Sequence, residues 1–107
     1  VNDAALDAHA GLRVAVIVAA REHAKPALED MALVAPARRI HRAAGTEAID
    51  YHSGGVLLIQ VAGTDMRGYS LDRIYVARHA RIRANELRDL RQAVQARGGT
   101  LIGVEEA

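Results

Sequence analysis

Leu12-Arg13-Val14-Ala15-Val16-Ile17-Val18-Ala19 is a nearly unbroken apolar run, largely β-branched. Apolar residues at successive rather than alternate positions are the pattern of a strand covered on both faces. Straight after it, Ala24, Leu28, Met31 and Ala35 recur at helical spacing. Pro26 falls in the first turn of that helix, where its missing N–H costs nothing, and Pro36 closes the segment. A doubly covered strand running into a helix is the opening of an α/β unit, in which helices cover a parallel sheet.

Working outward, the period changes in the middle third. Residues 38–42, 47–51 and 56–62 read as three short extended stretches, separated by Ala44-Gly45-Thr46 and Ser53-Gly54-Gly55, both hairpin-turn sequences. Within 47–51, Ala48 and Asp50 face one way and Glu47, Ile49 and Tyr51 the other, as in a half-exposed ribbon. Val56-Leu57-Leu58-Ile59 is solidly apolar and is expected to re-enter the core. A turn-rich loop over 63–71 precedes a short buried strand, Ile74-Tyr75-Val76. Leu87, Leu90 and Val94 mark one face of a second helix and Arg88 and Arg91 another, with Asn85 as its N-cap and Gly98-Gly99 as its stop. Leu101-Ile102-Gly103-Val104 is the last strand. The expected fold is α/β: three layers around a short, mainly parallel sheet with helices packed on it, and an antiparallel β-ribbon inserted after the first helix. Residues 1–11 read as an N-terminal arm or short helix ahead of a single α/β domain over 12–107.

Composition excludes several function classes. The chain has 107 residues, half hydrophobic and a quarter charged, which is one domain of ordinary globular make-up. Phe and Trp are absent and there are three Tyr, too few for a base-stacking nucleic-acid platform. Without Cys there is no thiol catalysis, disulfide, zinc knuckle or iron–sulfur cluster. A net charge of +1 supplies no bulk polycation. The longest apolar run, 14–20, is seven residues and follows no basic segment, so neither a membrane span nor a signal peptide is expected and the expected compartment is the cytoplasm.

Several short motifs fall in a familiar order. The apolar strand and its helix are followed by Arg39-Ile40-His41-Arg42-Ala43-Ala44-Gly45, then Glu47-Ala48-Ile49-Asp50-Tyr51, a turn and a second apolar strand. Next come Arg67-Gly68-Tyr69-Ser70-Leu71-Asp72 and, directly after, Arg73-Ile74-Tyr75-Val76. In this order and local pattern, residues 12–104 resemble part of the ATPase core of phage terminase large subunits and related helicase-like P-loop enzymes. In that family an Arg-Gly-Tyr-Ser-type turn commonly precedes the strand that ends in the magnesium-binding Asp-Glu pair. The departures are chemical. No Gly-x-x-x-x-Gly-Lys-Ser/Thr loop is present, and the lone Lys25 is followed by Pro26. Ala77-Arg78 occupy the positions of the magnesium pair; Ala cannot hold the ion, and Arg puts positive charge where a carboxylate would polarise water. The resemblance implies a degenerate form of the fold, while these residues argue against the activity.

Other chemistry-bearing residues are scattered. His9, His23, His41, His52 and His79 form no His-x-x-x-His pair, although His41 and His52 approach Asp50 on the expected ribbon. Ser53 and Ser70 lie in turns, outside any nucleophile elbow, so a Ser70, Asp72 and His79 triad has no motif behind it. Asp50, Asp65 and Asp72 sit on separate segments. Positive charge is the more distinctive feature: Arg78, Arg81, Arg83, Arg88, Arg91 and Arg97 outweigh Glu86 and Asp89 near the last helix, and Arg38, Arg39 and Arg42 form a second group. Of these, Arg81, Arg88, Arg91, Arg38 and Arg39 are the candidate phosphate contacts, a solvated face paired with its own acids being the alternative. Arg67, Gly68, Tyr69 and Ser70 are a candidate interaction loop, placed after a core strand where open α/β sheets carry their sites.

Together these readings lead to a non-catalytic interaction module of phage type, in the host cytoplasm if phage-encoded. It would retain part of a terminase- or helicase-like core and bind itself, a phage or host ATPase, or DNA, without a cofactor. A small metal-dependent nuclease or phosphate-ester hydrolase, and a DNA-binding regulator using the arginine face, are the other readings. In the resembled core the strand carrying the phosphate loop lies beside the strand matching Leu101–Val104. The chain starts after that loop, so this segment is expected to be a sheet edge through which two copies pair.

Overall fold

The computed structural model describes residues 2–66, 68–78 and 80–103. Strand β1, Arg13–Val18, lies inside the sheet, parallel to both its neighbours. Val14, Val16 and Val18 join one core and Ala15 and Ile17 the other, so every apolar position of the run is covered. Helix α1 (Asn2–His9) and helix α2 (Ala24–Ala32), which follows a single 3-10 turn at Arg21–His23, pack on the first of these faces. Helix α3 (Ala84–Gln95) covers the second. The three expected layers are present.

The remaining strands are β2 (Arg39–His41), β3 (Ala48–Asp50), β4 (Val56–Val61), β5 (Arg73–Val76) and β6 (Thr100–Ile102). Their order across the sheet is β2-β3-β4-β1-β5-β6. Pairing is parallel over β4-β1-β5-β6 and antiparallel over β2-β3-β4, which is the inserted ribbon. Its alternation holds: Glu47, Ile49 and Tyr51 are buried on the α1/α2 side.

The structure decides one sequence alternative and changes one expectation. Of the two readings of residues 1–11, an arm or a short helix, the helix forms over 2–9: Ala4, Ala5 and Ala8 are fully buried and α1 packs on β1 and β4. The small side chains allow an approach so close that a Cβ on Gly55, just before β4, would meet the Ala8 carbonyl oxygen at 1.7 Å. Asp7 fastens the same helix to β5, accepting hydrogen bonds from the Tyr75 hydroxyl and from Arg73 at 3.3 Å. Asn85 is not the cap of α3: the N-cap is Arg83, whose extended backbone makes no side-chain capping bond, and Asn85 stands inside the first turn. The glycine stop is as expected, with the Gly99 N–H donating to the Val94 carbonyl at 2.8 Å. Of the last expected strand, Val104 lies outside the described residues.

Candidate functional site

From β1 the chain turns to α2 on one face, and from β5 to α3 on the other. Adjacent parallel strands whose connections leave to opposite faces open a crevice at their carboxyl ends, where α/β sheets hold ligands. Here an open crevice of about 1000 Å³ lies at that end, between the ends of β1 and β4, the 62–66 loop, residues 81–83 and the first turns of α3. Ile17, Met66, Ile82 and Leu90, all buried, close its floor. Its charged lining is mixed: Asp65, Glu86 and Asp89 against Arg81 and Arg83. The Gly63 N–H donates to Glu86 Oε2 at 3.0 Å, tying the loop to α3.

Ala77 and Arg78, the positions matched to a magnesium pair, do follow the carboxyl end of β5. The Ala77 N–H donates to the Ile17 carbonyl at 2.8 Å, which sets it beside β1. Neither supplies a carboxylate. The candidate interaction loop, in contrast, runs away from the crevice. The Tyr69 N–H donates to the Met66 carbonyl, and the Ser70 carbonyl accepts Arg13 Nε at 3.0 Å, at the amino end of β1. Gly68 provides the turn at φ +87. Arg67 and His79 lie outside the described residues.

The two arginine groups are not brought together. Arg88 and Arg91 line a shallow groove of about 430 Å³ on α3 with Ala84, Leu87, Gln92 and Gln95, while Arg81 belongs to the crevice. Arg38 and Arg39 sit at β2, the opposite sheet edge, four strand spacings or roughly 19 Å from β5. Two further arginines are committed, Arg42 to Glu29 at 2.7 Å and Arg97 to Asp72 at 2.9 Å.

The acids separate as well. Asp50 Oδ2 meets His41 Nε2 at 2.8 Å across the ribbon. Asp72 sits at the amino ends of the strands, where it also accepts the Arg13 N–H at 2.8 Å. The Arg97 guanidinium holds the Asp72 carboxyl below the usual carboxylate range against the opposing effect of burial. Among the described residues no three His, Asp or Glu side chains group to hold a metal ion.

Sequence reasoning missed one polar feature. The Glu47 side chain has no exposed surface and is ion-paired with Arg21, whose side chain is 48% exposed. Burial pushes the Glu47 carboxyl up, but its own backbone N–H, Arg21 and the Gly45 N–H outweigh this and hold it below its ordinary value. An acid on the same side of the ribbon as Ile49 and Tyr51 signalled a buried carboxylate. Its partner stands 26 residues earlier, beyond any local pattern.

Comparison with family models, with curated proteins and with solved structures finds no match for this chain.

Proposed function

We propose that the chain is a non-catalytic interaction module that docks through the free side of β6, with a second copy of itself as the occupant. The observation that carries this reading is the direction of the β6 backbone groups. The Thr100 N–H donates inward to the Asp72 carbonyl at 3.0 Å, so the N–H and C=O of Leu101, one residue on, face away from β5. β6 is outermost in the sheet, and an open parallel edge of this kind is a template for strand addition. The resemblance to a terminase- or helicase-like core supports the same side, because there the strand bearing the phosphate loop neighbours the strand matching β6.

The competing readings draw less support. A DNA-binding regulator would use one arginine face, and the groups lie apart, Arg88 and Arg91 on α3 and Arg38 and Arg39 at the β2 edge. A metal-dependent nuclease or phosphate-ester hydrolase would use clustered acids, and Asp50, Asp65 and Asp72 are dispersed.

Light scattering over a concentration series tests the reading. The wild-type mass is expected to rise toward that of a dimer. Leu101→Pro removes the outward donor at an edge position that tolerates proline, and should hold the chain monomeric. Ile102→Pro, the first choice from sequence, would instead remove an inward N–H and break the β5–β6 ladder. A wild type that stays monomeric, or a Leu101→Pro dimer as tight as the wild type, would refute self-pairing.

A further inference from the structure

We propose that the carboxyl-end crevice binds a short zwitterionic peptide of two or three residues, its carboxylate on Arg81 and Arg83 and its ammonium on Glu86 and Asp89. This site is separate from the β6 edge and does not depend on pairing there. Five charged side chains of both signs line one crevice, and among the described residues no ion pair joins Arg81, Arg83, Glu86 or Asp89. Glu86 is oriented by the Gly63 N–H through one oxygen, which leaves Oε1 available, and Asp89 lies one turn further along the same flank.

The pattern selects among ligand classes. A simple anion meets three carboxylates, Asp65 among them, as well as two guanidiniums, and a metal ion meets two guanidiniums and, among the described residues, no three-ligand group. A ligand bearing both charges, suitably spaced, engages Arg81, Arg83, Glu86 and Asp89 together. Spacing then sets its length. From Arg83 through Glu86 to Asp89 the helix rises about 9 Å. An extended chain spans up to ~3.5 Å per residue, so a dipeptide or tripeptide matches this separation and a single amino acid falls short. The volume, about 1000 Å³, lies within the range of small-ligand sites and leaves room for the side chains. The buried floor of Ile17, Met66, Ile82 and Leu90 keeps the rim on fixed elements.

The test is an NMR titration of the full chain with trialanine, followed at the amides of Gly63, Thr64, Asn85 and Glu86. Saturable shifts are expected with a dissociation constant in the millimolar range, and N-acetyl-trialanine amide and free alanine should each bind at least ~10-fold more weakly. Arg83→Gln and Asp89→Asn, rim changes read against an unchanged spectrum elsewhere, should each weaken trialanine severalfold. No saturable shift up to ~10 mM, or equal binding of the doubly blocked peptide, would overturn the proposal. So would binding that ignores both substitutions.

Discussion

Truncating Arg21 should expose how the ribbon is held to the centre of the sheet. The Arg21–Glu47 pair joins the turn after β1 to the residue entering β3. Without the guanidinium, a carboxylate with no exposed surface keeps only N–H donors, its own and that of Gly45 at 3.0 Å. A hydrogen bond to a charged group contributes about 1.5–3 kcal/mol, and the half-exposed Arg21 places this one toward the lower end. Arg21→Ala is therefore expected to cost about 2 kcal/mol, roughly 8 °C in Tm for a domain of this size. Glu47→Gln should cost less, about 1 kcal/mol, because Arg21 can turn to water and the amide oxygen still accepts the Gly45 N–H. The double variant should then lose less than the two single losses combined.

The pH dependence has a definite sign. The folded Glu47 carboxyl lies below its ordinary value of 4.5, so its contribution is complete above that value and fades as pH falls through the lower folded value. In Arg21→Ala the covered carboxyl loses its counter-charge, and the folded state prefers it protonated. The stability gap between wild type and variant should therefore narrow from pH 7 toward acid. Denaturant melts at several pH values read it. A gap below about 0.5 kcal/mol at pH 7, or one that fails to narrow in acid, would refute the reasoning.

Gly55→Ala should destabilise the chain by more than about 2 kcal/mol, because its methyl group would drive into the Ala8 carbonyl oxygen and lift α1 from the sheet; near-wild-type thermal melting would contradict this packing. Magnesium ATP should give no heat in isothermal titration, since no phosphate loop is present and Ala77-Arg78 supply no carboxylate; a micromolar dissociation constant would sink that reading. Any retention on DNA at low salt should be lost on charge reversal of Arg88 and Arg91 and should vanish near 0.3 M salt, where exposed charges are heavily screened; retention surviving both would point to base readout.

Elements with a strong local signature were readable from sequence. The apolar run at 12–19 and the alternation at 47–51 each encode which faces are covered, and the structure places β1 between two helical layers and the ribbon on one core accordingly. What sequence could not supply was distance across the fold. Ala4, Ala5 and Ala8 carry little hydrophobic weight, so sequence left residues 1–11 open between an arm and a short helix; only the closeness of Gly55 makes their burial intelligible. The Arg38 and Arg39 group and the Arg88 and Arg91 group stood as two sets with no distance between them, and strand order supplies that distance. The 63–71 loop looked like one unit, yet its first residues line the crevice while Ser70 reaches the opposite end of β1. Crevice, ion pair and edge all arise from contacts between segments far apart in the chain.

The most direct measurement of the central claim is amide hydrogen exchange at Leu101, followed from dilute to concentrated protein. The inward N–H of Thr100 should be protected throughout by its bond to the Asp72 carbonyl. The outward N–H of Leu101 should exchange freely when dilute and become protected as concentration rises and a second β6 docks. Protection of Leu101 that does not change with concentration, or association that leaves it exchanging freely, would contradict docking through this edge.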